Sequence, residues 1–185
     1  MRLKYYYWYF KSAFSPKLCS KIVEHGLLQQ DEKAKNSRKD VRESSIVWLE
    51  DEWIRDEIYP YLHKANRKAG WNFDWDDSET VQFTKYKKDQ FYNWHLDQYF
   101  KPDRQGKIRK LSVTVNLLDK KEFSGGDFEF DFTHKYGQQK PEKCKEIEPR
   151  GSIVVFPSFV WHRVTPVTAG TRYSLVMWAL GPPFK

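Results

Sequence analysis

The sequence predicts a mainly β domain, a sandwich or barrel, flanked by helices that come early in the chain. Three observations predict it. Up to Ala69 two stretches carry apolar residues at helical spacing; beyond Ser78 the texture changes to short β-rich runs separated by turn residues; and no repeat or linker composition interrupts the 185 residues. The chain therefore reads as one domain, with 1–77 as mainly helical support and 78–185 as the β core.

The elements follow in order. Tyr5 to Phe10 predicts a strand, and Ser15-Pro16 places a capping hydroxyl before a proline suited to a first helical turn. The helix runs to about Leu28, with Leu18, Ile22, Val23 and Leu27 on its apolar face. Asp31 to Lys39 has no apolar residue larger than Ala34 and predicts a loop; Ser45 to Leu49 predicts a strand. From Glu52 to Ala69, Trp53, Ile54, Ile58, Tyr61, Leu62 and Ala65 return to helical period, with Pro60 as a kink and Gly70 as a stop. Seven strands are then expected, over 81–86, 91–99, 111–118, 127–132, 153–156, 162–167 and 171–180. Gly125-Gly126 predicts a hairpin or bulge, Pro149-Arg150-Gly151 and Thr168-Ala169-Gly170 predict tight turns, and Pro182-Pro183 ends the fold.

Composition narrows the class. Hydrophobic residues make up 39% and aromatic residues 17%, with eight Trp, so the core is aromatic-rich; 31% charged residues imply a well-solvated surface. Cys19 and Cys144 are too few and too far apart for a disulfide framework or a four-cysteine zinc site, which points to a reducing, cytoplasmic home. Arg2 and Lys4 interrupt the apolar N-terminus, so no signal peptide is read, and no run approaches the ~18 apolar residues of a membrane span. The net charge of +7 invites a nucleic-acid partner, but the excess is spread along the chain. Its densest stretches, Lys33 to Arg42 and Lys101 to Lys110, read as solvated loops.

Against this background one group of residues carries chemistry. His95 and Asp97 are two apart on a predicted strand, so both side chains leave the same face and could hold one metal. His162 opens another predicted strand and could add a third ligand from the facing sheet. Two histidines and a carboxylate form the facial triad of non-heme iron(II) oxygenases, with zinc as the rival metal. His25, His63 and His134 are assigned structural or solvated roles. Arg172 lies ten residues past His162, where a turn over 168–170 would return the next strand alongside the first. A buried arginine needs an anion, and its planar fork suits the distal carboxylate of a 2-oxo diacid.

The chain resembles the 2-oxoglutarate/iron(II) oxygenases of the prolyl 4-hydroxylase type, especially their small microbial and phage PKHD-type members. The matching pieces are Tyr86 with His95-x-Asp97, the strand from Arg109 through Ser112 to Leu118, Gly125-Gly126-Asp-Phe-Glu-Phe130, and Trp161-His162-Arg-Val-Thr-Pro166-Val167 leading to Gly170-Thr-Arg172-Tyr173-Ser174. The resemblance implies a double-stranded β-helix, a two-sheet jelly roll with N-terminal helices. It implies Fe(II) on His95, Asp97 and His162, 2-oxoglutarate on Arg172 with help from the Tyr86 hydroxyl, and ascorbate as reductant. The implied reaction hydroxylates an unactivated C–H bond with release of succinate and CO2.

By the same resemblance the substrate is a peptidyl proline; a small molecule or free amino acid is the alternative, and a non-catalytic metal-binding jelly roll is the alternative from another class. Nucleic-acid demethylation ranks low, since the second arginine of the repair demethylases is replaced by Trp178. Two departures stand out: Asp89 occupies a position where the family often has Gly, and Arg172 replaces the lysine of collagen-type enzymes. Trp94, Trp161 and Trp178 are read as packing residues, and one of Ser112 and Asn116, on the face shared with Thr114, is expected to line the pocket. The loops over 31–39 and 101–110 are expected to order over substrate.

Overall fold

A computed structural model describes residues 3–30, 32–33, 41–99, 101–133 and 140–184. The elements run β1 (Trp8–Phe10), α1 (Pro16–Leu28), β2 (Glu32–Lys33), β3 (Arg42–Glu43), β4 (Ser45–Leu49), α2 (Glu52–Lys68), β5 (Asp77–Ser78), β6 (Val81–Tyr86), β7 (Phe91–His95) and β8 (Ile108–Asn116). Then follow β9 (Phe123–Gly125), β10 (Phe128–Asp131), β11 (Glu142–Lys143), β12 (Ile153–Pro157), β13 (Trp161–Val164), β14 (Val167–Gly170) and β15 (Arg172–Gly181). The major sheet has the order β1-β12-β8-β15-β6-β4-β2 with β5 added to β15; the minor sheet has the order β11-β10-β13-β7-β3; β14 and β9 form a third pair. The strand pairs are antiparallel, as in the expected jelly roll.

The period-2 alternation of the long strands builds both layers of the core. On β15, Leu175, Met177 and Ala179 join Ile22, Ile54, Ile58 and Leu62 of the two helices in a buried cluster on the outer face of the major sheet. On β12, Val154 and Phe156 point the other way, into a second cluster with Phe128, Phe130 and Val164 of the minor sheet. Helix α1 starts as its sequence dictates: the Ser15 hydroxyl accepts a hydrogen bond from the Leu18 amide at 3.2 Å, ahead of Pro16. Helix α2 continues through Pro60 and stops two residues before Gly70.

Gly151 shows why glycine is required in the turn before β12. Its φ is +76°, the Ser152 amide closes the turn on the Pro149 carbonyl at 3.0 Å, and a Cβ at Gly151 would lie 2.1 Å from the Phe14 carbonyl oxygen.

Several expectations need correction. The N-terminal part is more than helical support, because β1, β2 and β4 are strands of the major sheet and β3 belongs to the minor one. Of the loop expected over 31–39, Glu32–Lys33 pairs with β4 as a strand, and the remainder lies outside the described residues. The Gly125-Gly126 stretch is a corner between β9 and β10, which sit in different sheets, and Thr168 to Gly170 is part of strand β14, paired with β9. Of the basic stretch over 101–110, residues 101–106 form an exposed loop as expected, but Ile108 to Lys110 opens β8, and Lys110 is buried, donating to the Pro182 carbonyl at 2.6 Å. Lys107 bridges Asp76 and Asp77 at 3.0 and 3.3 Å.

Candidate active site

Between the two sheets lies a small, mostly apolar pocket with a few convergent polar and charged side chains. His95, Asp97 and His162 stand on one wall, and their ligand atoms all lie within 4.8 Å of one another. The strands bring them together differently from the expectation. His95 and His162 are direct partners across β7 and β13 in the same minor sheet, so His162 does not come from a facing sheet. β7 ends at His95, so Asp97 is not placed by strand alternation. Its amide donates instead to the Ser158 carbonyl at 3.0 Å, which turns the carboxylate back toward both imidazoles.

Hydrogen bonds fix the chemistry of each donor. The Nδ1 of His95 faces the Asn93 carbonyl at 2.7 Å and that of His162 faces the Val160 carbonyl at 3.0 Å. A carbonyl only accepts, so each Nδ1 carries a proton, and Nε2 is the ring nitrogen that each histidine turns to the pocket. The two Nε2 atoms lie 3.6 and 3.4 Å from Asp97 Oδ1 and Oδ2. Cis ligands on a metal with bonds of about 2.1 Å lie about 3 Å apart, so this donor set fits a single divalent ion with modest contraction. The Ser112 hydroxyl donates to Asp97 Oδ2 at 2.7 Å and holds the carboxylate in place.

The electrostatics match a metal cradle. Burial opposes charge on Asp97, but His162, hydrogen-bonded beside it, together with His95 and Arg109, holds the carboxyl far below the usual range. Burial and then the neighbouring His162 push the His95 imidazolium well below its ordinary range, which keeps this imidazole neutral. A carboxylate and neutral imidazoles are the protonation states that ligate.

Arg172 faces this group from the opposite sheet. It begins β15, paired with β6 so that Arg172 stands opposite Tyr86; β15 does not return alongside β13 as the expected turn required. The guanidinium is buried, 3% exposed, and its Nη1 donates to the Ser174 hydroxyl at 3.1 Å. Burial pulls its pKa down, partly offset by Tyr86 and Asp127. Among the described residues no carboxylate lies within ion-pairing distance of it. Gly126 makes room: a Cβ there would press on Arg172 Cδ at 3.0 Å. Tyr86 is buried and lines the same pocket, 5.6 Å from the Arg172 guanidinium.

Other side chains complete the walls. Ser112 touches the triad and Thr114 lines the pocket, whereas Asn116 donates to the Leu118 and Glu148 carbonyls and anchors a loop. Trp178, read as packing, lines the pocket with its ring against the Arg109 guanidinium at 3.8 Å. Arg109 itself makes a two-bond fork to Glu79 at 2.5 and 2.6 Å. Sequence reasoning missed Arg42 and Tyr92, which reach the site through β3 and β7. Tyr92 stacks on His95 with centroids 3.4 Å apart, and the Arg42 guanidinium covers Tyr92 at 4.6 Å. Asp89 adopts the left-handed conformation, φ +67°, so this loop keeps the backbone that glycine would allow. His25 pairs with Asp51 at 2.8 Å, His63 packs on Trp75, and His134 lies outside the described residues.

A two-sheet jelly roll that gathers two histidines and a carboxylate opposite a buried arginine has the site of the non-heme metal oxygenases. The family model of the 2OG-Fe(II) oxygenase superfamily matches residues 81–180, and the chain belongs to that superfamily. It is 33% identical over 97 residues to a PKHD-type hydroxylase of Shewanella sp. (strain ANA-3), covering 52% of this chain and 40% of that protein. To a PKHD-type hydroxylase of Alteromonas mediterranea it is 34% identical over 99 residues, covering 52% of this chain and 41% of that one. The matched region thus spans less than half the length of these curated relatives.

Solved structures share the fold. The viral collagen prolyl hydroxylase of Paramecium Bursaria Chlorella virus-1, in complex with 2OG, superimposes with a TM-score of 0.71 at 19% identity, covering 96% of this chain and 97% of that one. A Pseudomonas putida prolyl-4-hydroxylase gives 0.73 at 20% identity, covering 95% and 92%. A Trichoplax adhaerens prolyl hydroxylase in complex with a hypoxia inducible factor peptide fragment gives 0.66 at 16% identity, covering 95% and 84%.

Proposed function

We propose that residues 1–185 form one Fe(II)- and 2-oxoglutarate-dependent dioxygenase domain that hydroxylates a peptidyl proline, releasing succinate and CO2. The observation that carries this reading is Arg172: a buried guanidinium with no carboxylate partner among the described residues, across one pocket from three metal-ligand side chains. Burying a cation costs several kcal/mol unless an anion completes it, so the fold is arranged for an incoming carboxylate.

His95 Nε2, Asp97 and His162 Nε2 would hold Fe(II), leaving the remaining positions to cosubstrate and dioxygen. Arg172, with the Tyr86 hydroxyl, would hold the distal carboxylate of 2-oxoglutarate so that its 2-oxo acid end reaches the metal. Iron with the bound 2-oxo acid supplies the oxidising power that replaces C–H by C–OH. Asp97 serves as a ligand and takes no proton. Phe128, Phe156, Val164 and Val176 form an apolar wall that excludes water and suits a pyrrolidine ring. A peptide substrate is further supported by the fold shared with prolyl hydroxylases, one of them bound to a peptide. Ascorbate is the reductant in this reading. Two buried free thiols, Cys19 and Cys144, support work in the reducing cytoplasm. No helix among the described residues is long and apolar enough to cross a membrane.

The test is succinate formation from 2-oxoglutarate by purified protein with Fe(II) and ascorbate in air, with and without proline-containing peptides. Peptide-stimulated succinate, an oxygen atom added to proline, and loss of both in Asp97→Ala are expected. Absence of 2-oxoglutarate binding would refute the cosubstrate assignment; turnover with a free amino acid alone would refute the peptide.

A further inference from the structure

We propose that Trp178 and Trp48 form a two-ring relay that carries oxidising equivalents from the active site to the protein surface when dioxygen is activated without substrate. This rests on the dioxygenase reading above. Trp178 lines the pocket with the triad and is 5% exposed; Trp48 is 42% exposed. Their centroids lie 6.4 Å apart, so the two rings connect the buried site to solvent in one step. The alignment follows from strand alternation: Val47 and Leu49 of β4 pack toward the helices, which turns Trp48 to the face that Arg172, Ser174, Val176 and Trp178 share on β15.

The surroundings of the two rings give the transfer a direction. Among the described residues no group accepts a hydrogen bond from the buried Trp178 Nε1, so an oxidised Trp178 keeps its indole proton and stays a mobile cation radical. The Arg109 guanidinium over the ring, 3.8 Å from its centroid, disfavours positive charge resting there. Trp48 borders solvent, where water takes the proton and leaves a less oxidising neutral radical. Electrons balance as follows. Trp178 gives one electron to the oxidant in the pocket and takes one from Trp48; oxidised Trp48 loses its N–H proton to water. The Trp48 radical then takes a hydrogen atom from an ene-diol reductant such as ascorbate, or adds dioxygen when none is present. The relay would spare the imidazoles of His95 and His162 and the Tyr92 ring stacked on His95.

The experiment loads the protein with Fe(II) alone, adds hydrogen peroxide, and maps oxygen addition by peptide mass spectrometry; Zn(II)-loaded protein with the same peroxide gives the background. Oxygen addition at Trp48 is expected to exceed that background severalfold, to fall severalfold with ascorbate, and to fall severalfold in Trp178→Phe, with damage moving to Tyr92 and His162. In Trp48→Phe, a surface change, oxidation should return to Trp178 and the ligands and iron should be lost sooner. Equal Trp48 oxidation with iron and zinc, or Trp48 oxidation unchanged in Trp178→Phe, would overturn the relay in favour of a diffusing oxidant. The peroxide arm uses no 2-oxoglutarate, so the relay is read even if the cosubstrate assignment fails. In a second arm with 2-oxoglutarate and air, succinate formed without Trp48 oxidation overturns the relay alone.

Discussion

Replacing Arg172 with Met separates a cosubstrate clamp from a structural arginine, because the two roles change stability in opposite directions. In the ligand-free protein the guanidinium is desolvated with one hydrogen bond, to Ser174, and no carboxylate at ion-pairing distance among the described residues. Removing it gives back a desolvation penalty of several kcal/mol and forfeits a hydrogen bond worth about 1–3 kcal/mol. The ligand-free variant should therefore be as stable as the parent or gain about 1–3 kcal/mol, a rise of roughly 2–12 °C in Tm for a chain of this length. Binding should move the other way. Truncating one side of a buried, hydrogen-bonded charge pair costs about 2–5 kcal/mol, which weakens 2-oxoglutarate affinity by roughly 30- to 4,000-fold. In the parent, 2-oxoglutarate at ~100 times its Kd adds about 2.7 kcal/mol, or about 5–10 °C. Thermal unfolding with Mn(II) as a redox-stable stand-in, with and without 2-oxoglutarate, reads both quantities. A variant that is less stable by more than about 1 kcal/mol and still shows the full 2-oxoglutarate shift would refute the clamp.

Three further outcomes are expected. Ser112→Ala removes the hydroxyl that holds Asp97 Oδ2 and should lower metal affinity by ~10–100-fold with little change in fold, measured by anaerobic calorimetry with Fe(II). Burial, followed by the neighbouring Glu146, pushes the Cys144 thiol from 9.0 up to about 12. A group raised in the native state stabilises below its unfolded pKa, so this contribution should fade as pH climbs from 9 toward 12. Urea midpoints at pH 8 and pH 10 should show the parent losing roughly 1 kcal/mol more than Cys144→Ala. Gly151→Ala forces a Cβ against the Phe14 carbonyl at a positive φ and should cost about 2–5 kcal/mol in denaturant unfolding, leaving metal affinity per folded molecule unchanged.

The parts of the fold that sequence patterns revealed are those with strong local causes. Helix α1 follows from Ser15-Pro16 and its apolar spacing, and β8, β12 and β15 from long β-rich runs with buried faces. The two-residue strands β2, β3, β5 and β11 escaped because two residues carry no period. Glu32–Lys33 is a strand only because β4 offers its edge, and Thr168-Ala169-Gly170 has turn chemistry yet pairs with β9. His95, Asp97, His162, Arg172 and Tyr86 were legible as motif positions, and the structure brings all five to one pocket. The geometric reasons first attached to them were less sound: Asp97 is aimed by a backbone bond to Ser158 after the strand has ended. Arg42 and Tyr92 gave no signal, since only the pairing of β3 with β7 delivers them.

One signal was present and readable. In strands otherwise apolar enough to be fully buried, the polar positions recur at period 2: Gln82 and Thr84 on β6, Ser112, Thr114 and Asn116 on β8, Arg172 and Ser174 on β15. Their partners on the opposite face, such as Phe83, Val113, Val115, Leu175 and Met177, pack under the helices. Buried polar groups are expensive without partners, so a sheet face that concentrates them in its central strands is built to meet something other than side-chain hydrocarbon. β8, β15 and β6 are adjacent in the sheet, which merges the three rows, apart from Asn116 at the end of β8, into one polar patch opposite His95 and His162. The alternation thus marks which face of the major sheet forms the site, and it places Trp178, at the same period on β15, on the pocket side. Assigning Trp178 to packing followed from weighing it as an isolated aromatic; its register with Arg172, six residues earlier on the same strand, assigns it to the site.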